Sequence, residues 1–295
     1  MIFSPLMLAG GALLGFSMGI LTGFFGAGGG FILTPVLNIF LGLPMNLAVG
    51  TSACQVLGAS SFSLFHYIDR RWLGLKVALW MGSGIPFGVW FGSHLVKQLK
   101  AMGTMTVNGK SIPAVDFILL VAFAVFLGLI TTWLLVDNFV LRRGREDESE
   151  RPQGLLARLR IPPMVQFRTI HHGPFSGPVL IVLGLVVGCL SGLMGIGGGV
   201  VMIPMLFYLV GQEIKAATRT ITMLIFITGL CSTIAHARAG NINWTLAACL
   251  IGGSFLGTRL GAWLQHRTTG KRLRQYFALV VLTATLMVTA KLLML

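Results

Sequence analysis

The chain has 295 residues, of which 55% are apolar and only 10% charged, with a mean hydropathy of +0.86 and 39 glycines. A soluble domain carries about a quarter charged residues, so this composition leaves no water-facing surface and excludes a soluble enzyme, a DNA-binding domain or a disordered tail. The net charge of +14 sits in short basic segments between apolar stretches. That is the pattern of cationic loops held on one side of a membrane, not of a nucleic-acid partner.

A helix needs about 20 apolar residues to cross the hydrocarbon. Apolar stretches fall at roughly 5–25, 30–43, 46–66, 73–96, 115–137, 177–194, 199–211, 216–236, 243–264 and 276–294. The opening MIFSPLMLAG has no basic region and reads as the first span, not as a cleaved signal peptide. Stretches 30–43 and 199–211 are too short to cross comfortably, and each follows a glycine cluster, so each is expected to be a half-helix. The expected fold is an all-α polytopic membrane protein of about eight transmembrane helices plus two short broken or re-entrant ones. Residues 138–176 are polar and rich in Arg and Pro. They read as a cytoplasmic linker between a first transmembrane repeat (1–137) and a second (177–295). His171 and His172 in that linker read as solvated, and no metal or cofactor is expected. Cys54, Cys189, Cys231 and Cys249 lie in apolar runs without a C-x-x-C pair and read as packing residues.

The internal repeat is the strongest feature. At a shift of 169 residues, GFFGAGGGFILTPVL (23–37) lies over GLMGIGGGVVMIPML (192–206), with seven of fifteen positions identical. Gly15 and Gly19 then match Gly184 and Gly188, Ala48 and Thr51 match Ala217 and Thr220, and Gly84, Gly88 and Gly92 match Gly253, Gly257 and Gly261. If the halves are inverted, one face collects fourteen Lys and Arg, including the seven linker arginines, against six on the other (Lys97, Lys100, Lys110, Lys215, Arg219, Arg238). Parallel halves would divide them eleven against nine. The Lys/Arg bias sets orientation, so inverted repeats are expected, an arrangement typical of secondary transporters with a substrate near the midplane.

Gly26, Gly28, Gly29 and Gly30, and their counterparts Gly195, Gly197, Gly198 and Gly199, interrupt hydrophobic stretches. Unwound backbone at membrane depth must face protein or a water-filled cavity. A half-helix starting there offers N–H groups and a partial positive charge to an anion; close packing through small residues is the competing reading. No G-K-[ST] follows either cluster, which removes a P-loop. Thr51, with Ser52 beside it, and Thr220 are read as opening the next helices, as caps or as donors to a bound oxyanion, with Gln55 one turn on. Arg259, deep in LIGGSFLGTRLGAWL, is the best intramembrane charge, with an anionic substrate on one reading and a snorkelling or internally paired side chain on the other. Arg219 is more ambiguous, and His66 and His236 read first as interface residues. Asp69, Asp116, Asp137 and Glu213 lie at or near stretch ends. The scarcity of acidic groups inside, beside an excess of cations, points to an anionic cargo.

The duplicated G-x-x-G-x-G-G-G…P blocks at 23–35 and 192–204, the A-x-x-x-T segments at 48–51 and 217–220, and the spaced glycines at 84–92 and 253–261 resemble the sulfite exporter TauE/SafE family of bacterial permeases. The resemblance covers nearly the whole chain. It implies a multi-pass inner-membrane transporter of small anions, with sulfite, sulfoacetate and related organosulfur compounds as typical cargo, and fixes neither substrate nor direction.

The expected function is therefore transport of sulfite or a small organosulfonate by alternating access. The expected substrate-binding residues are Gly26, Gly28, Gly29, Gly30, Thr51, Ser52, Gly195, Gly197, Gly198, Gly199, Thr220 and Arg259. Partners are a small anion and the lipid bilayer; neither the oligomeric state nor the energy source is defined by the sequence. A passive anion channel, or a permease for a non-sulfur organic anion, is the first rival. An intramembrane serine hydrolase built on Ser191 with a helical His is the second, disfavoured because the counterpart of Ser191 is Thr22.

Overall fold

A computed structural model describes residues 5–26, 28–67, 74–107, 110–136, 154–159, 161–167, 173–212, 214–268 and 270–294. The linker histidines His171 and His172, and Asp69, Asp137 and Glu213, lie outside them.

Among the described residues the chain is helical: α1 Pro5–Phe25, α2 Gly30–Phe40, α3 Met45–Tyr67, α4 Leu75–Ala101 and α5 Ala114–Val136, then α6 Gly177–Met194, α7 Gly199–Pro204, α8 Ile214–Arg238, α9 Trp244–His266 and α10 Gly270–Leu293. A π-turn, Met205–Leu209, continues α7. Two small antiparallel hairpins, β1 Thr104–Val107 with β2 Lys110–Pro113 and β3 Met164–Val165 with β4 Phe175–Ser176, precede α5 and α6. Six helices are long and apolar enough to cross a membrane (α3, α5, α6, α8, α9 and α10). α1, Pro5–Phe25, is apolar along its length, and α4 turns Gly82, Gly84, Gly88 and Gly92 to its neighbours. Large apolar side chains such as Leu13, Phe87, Phe91, Leu129, Val182, Leu256 and Leu286 are exposed on the outer faces, where lipid takes the place of water. Trp244 and Trp263, near the two ends of α9, are exposed as well, placed as interfacial anchors.

Glycine decides which helices meet. Along α1, Gly15, Gly19 and Gly23 lie against the backbone of Leu250, Ser254 and Thr258 on α9, and α9 returns Gly253, Gly257 and Gly261 to Ala12, Phe16 and Ile20. The positions rise together, so the two helices run parallel. Gly84, Gly88 and Gly92 of α4 meet Ile181, Leu185 and Cys189 of α6 in the same way, and Gly184, Gly188 and Gly192 face Met81, Ile85 and Val89. Lipid tails are as apolar as leucine, so association in a membrane depends on close van der Waals contact, which small residues at four-residue spacing permit. Each seam joins the first five helices to the last five, and the 169-residue shift turns one seam into the other.

α3 and α8 occupy the middle and are antiparallel. Gly50 near the start of α3 lies against His236 and Asn241 at the end of α8, Leu57 against Gly229, and Gly74, beyond the end of α3, against Thr220 near the start of α8. Two equivalent helices that cross head to tail are related by an axis perpendicular to them, which for spanning helices lies in the membrane plane. The topology is inverted. Because α8 is one continuous helix from Ile214 to Arg238, Lys215 and Arg219 stand at its opposite end from Arg238, on the side where α3 ends. This corrects their grouping with Arg238 in the charge count, and the correction sharpens the asymmetry between the faces. α5 and α10 pack together in one hydrophobic cluster, pinned by a 2.7 Å hydrogen bond between the hydroxyls of Thr131 and Thr285.

Candidate functional site

The two glycine breaks meet where α3 crosses α8. Gly26 and Gly28 in the first break, and Gly195, Gly197 and Gly198 in the second, have positive φ between 62° and 74°, a conformation that glycine adopts without penalty. Val56 of α3 and Ile225 of α8, themselves related by the repeat, are fully buried between them. A β-carbon at Gly28 would stand 3.0 Å from Ile225 and 3.4 Å from Val56, and one at Gly197 would meet the same two side chains.

The polar backbone freed by unwinding is satisfied from within the protein, as lipid requires. Ser52 Oγ stands 3.3 Å from the Gly30 carbonyl and 3.2 Å from that of Gly195, tying the two breaks together. Thr228 donates to the Gly197 carbonyl at 2.8 Å and Thr34 to that of Met194 at 3.2 Å. The Gly29 N–H donates to Thr22 Oγ1 at 2.9 Å, and that hydroxyl donates on to the Met18 carbonyl. His236 Nε2 pairs with the Gly192 carbonyl at 2.9 Å, a buried interface contact; the side chain of His66 lies outside the described residues. Ser191 Oγ is buried without a hydrogen-bond partner, so among the described residues no histidine is positioned on it as a base.

Thr51 and Thr220 do not open their helices: α3 begins at Met45 and α8 at Ile214, which puts both threonines in the second turn. Thr51 Oγ1 accepts from the N–H of Asn243, the N-cap of α9, at 3.1 Å, and Thr220 Oγ1 accepts from Gln212 at 3.1 Å. Gln55 donates to Ser254 at 2.8 Å, joining α3 to the α1–α9 seam. Asp116 accepts from the Met45 N–H at 2.7 Å and so caps α3 from the first turn of α5.

A cavity of about 360 Å³ opens at the end where α3 finishes and α8 begins. Its walls include Arg259, Gly26 and the hydroxyls of Thr22, Ser63, Thr222 and Thr258. The Arg259 guanidinium lies 4.7 Å from the centre of the Phe255 ring, a cation–π contact that holds it without neutralising it. Among the described residues no carboxylate lines the cavity. Each hydroxyl donates to a carbonyl three or four residues back in its own helix, a bond that a rotation of the side chain exchanges for one to a ligand. Of the residues anticipated from sequence, Gly26 and Arg259 reach this cavity. Gly28, Gly29, Gly30, Ser52, Gly195, Gly197, Gly198 and Gly199 belong to the packed centre behind it, and Thr51 and Thr220 to the joints between halves.

A second cavity, about 640 Å³, lies at the other end of the α3–α8 pair, beside the last turns of α8. The repeat relates the two: Phe62, Phe255, Thr258, Arg259 and Ala262 of the first correspond to Cys231, Pro86, Val89, Trp90 and Ser93 of the second. The crossing at Val56 and Ile225 stands between them. Sequence reasoning passed over Thr22, Ser63, Thr222 and Thr258. The signal available was helical spacing, since Phe255, Thr258, Arg259 and Ala262 fall on one face of α9.

The family model that matches is that of the sulfite exporter TauE/SafE family, over residues 11–288. The chain belongs to that family. Its relatives include the probable membrane transporter protein YunE of Bacillus subtilis, 24% identical over 277 residues that cover 92% of this chain and 93% of the relative. A probable membrane transporter protein of Haemophilus influenzae is 26% identical over 279 residues, covering 94% and 92%, and MJ0441 of Methanocaldococcus jannaschii is 25% identical over 276 residues, covering 89% and 88%. No solved structure matches the chain significantly. This TauE/SafE member is thus a multi-pass membrane transporter, with two repeat-related cavities at opposite ends of its central helix pair.

Proposed function

We propose that the chain carries a small oxyanion, sulfite or an organosulfonate, across the inner membrane by alternating access, with the basic linker in the cytoplasm. The observation that carries this reading is the Arg259 cavity: one cation among four hydroxyls, with no acidic group among the described residues of its walls. An arginine within a spanning helix such as α9 is costly unless something anionic offsets it, and the walls select against cations.

In this mechanism the anion enters on Arg259, and Thr22 and Thr258 turn their hydroxyls from helix carbonyls to its oxygens. Thr22 also holds the Gly29 N–H, so occupancy of the cavity is felt at the first break. The Ser52 hydroxyl, shared at 3.2–3.3 Å between the two breaks, is easily released. Parting Val56 from Ile225 then opens the way to the opposite cavity, while the glycine seams stay intact and each moves as one body. Gly28–Gly30 and Gly195–Gly199 act as the hinges, with their N–H groups bared to the anion in transit.

The test is uptake into proteoliposomes of the purified protein, run against sulfite, thiosulfate, sulfate, sulfoacetate and acetate. Saturable sulfite or sulfoacetate flux, competed by unlabelled analogue, is the expected result. Movement of acetate alone would replace the cargo by a carboxylate, and unsaturable currents near channel conductance would replace the carrier by a channel.

A further inference from the structure

The second cavity is related to the first by the repeat, but none of its residues has yet been given a role, and its chemistry differs from that of the first. Lys97 and Lys100 from α4 and Arg238 from the last turn of α8 converge on it, together with His94, Ser93 and Asn241. On α4 the residues Pro86, Val89, Trp90, Ser93, His94, Lys97 and Lys100 recur at three- and four-residue spacing, so one helix face supplies most of the wall. No Asp or Glu lines it, and among the described residues none pairs with these cations. His94 is held in place by stacking on Trp90, centroids 5.7 Å apart and planes 15° from parallel, and by Gln98 at 3.3 Å. Where the repeat puts Arg259 in the first cavity, the second has Trp90, and its cations come instead from about two to three turns further along α4 and from α8.

We propose that this cavity is a second oxyanion-binding site, at the opposite end of the molecule from Arg259, built for a more highly charged group such as a dianion of the sulfate type or a phosphate ester. Three cations around one concavity compensate two negative charges where the lone guanidinium of the first cavity compensates one. The same chemistry is met by a free oxyanion or by the phosphate of an anionic lipid, since Trp90 is also exposed on the outer face of α4. The reading of the chain as an anion carrier motivates the site, but binding is measured without flux, so the two fail separately.

The experiment follows tryptophan emission of the full-length protein in phosphatidylcholine nanodiscs as sulfate replaces chloride at constant ionic strength. The site predicts a saturable change that disappears in Trp90→Phe, weakens about tenfold or more in Lys97→Gln/Lys100→Gln/Arg238→Gln, and persists in Arg259→Ala. These cations are exposed, so their replacement spares the fold. If the lipid is the natural occupant, sulfate has no effect, and nanodiscs containing phosphatidic acid, whose phosphomonoester takes a second charge, give the same Trp90-dependent change, again lost in the triple variant. No Trp90-dependent response to either anion, or a response undiminished in the triple variant, overturns the proposal.

Discussion

Two sets of glycines do opposite work in this molecule. Those of the seams, at four-residue intervals on α1, α4, α6 and α9, are helical and matter for the absence of a side chain, because a partner backbone occupies the space where a β-carbon would stand. Those of the breaks matter for their backbone conformation, since Gly26, Gly28, Gly195, Gly197 and Gly198 turn the chain through the left-handed region. The first set closes two seams that join the halves, and the second interrupts the helices between them. A sequence with 39 glycines thus encodes both the tight helix pairs and the breaks in the chain.

The contrast is broken most severely in the seams. Gly84→Leu or Gly184→Leu inserts a side chain into backbone and is expected to cost more than about 4 kcal/mol, so that no monodisperse protein survives detergent extraction; recovery of folded, heat-resistant Gly184→Leu would deny that the seam is closed. Gly28→Ala is the intermediate case. The left-handed conformation costs about 1–2 kcal/mol with a β-carbon, and the new methyl presses on Ile225 at 3.0 Å. The protein should still fold, with a small drop in melting temperature and a disproportionate loss of transport; equal losses in stability and transport would make the break a packing feature only. The smallest effect comes from a pair of neighbours. Gly252 has nothing within 4 Å of its β-position, whereas Gly253 abuts Ala12. Thermal unfolding should show Gly252→Ala stabilised by up to about 1 kcal/mol through helix propensity and Gly253→Ala destabilised, and a like response at both sites would place α9 in the wrong rotation.

Much of this was legible because membranes restrict what a chain can do. Apolar length placed α1 to α10, with ends mostly within a few residues, since backbone in lipid has little choice but helix. The 169-residue repeat likewise held the equivalence of the two seams, although not which helices would pair: α1 with α9 instead of with a neighbour in its own half is a tertiary fact. The surroundings of the site residues were less legible. Glycine clusters drew attention as ligand loops, and four of their backbone groups are already engaged by Ser52, Thr228 and Thr22. Thr51 reads as opening its helix, but the helix begins at Met45, where the N–H is capped from across the fold by Asp116. Helical spacing places Thr258 and Arg259 on one face; that Thr22 and Ser63 face them depends on the crossing of α1, α3 and α9, which leaves no local trace.

The most direct test concerns Arg259. Sulfite uptake into proteoliposomes should saturate in the wild type, show an apparent affinity weakened at least about tenfold in Arg259→Ala, as expected for loss of a charge-assisted contact, and be only partly restored in Arg259→Lys, which keeps the charge without the planar fork. Unchanged affinity in Arg259→Ala, with the protein folded and transporting, would take the cation out of the path and contradict the account.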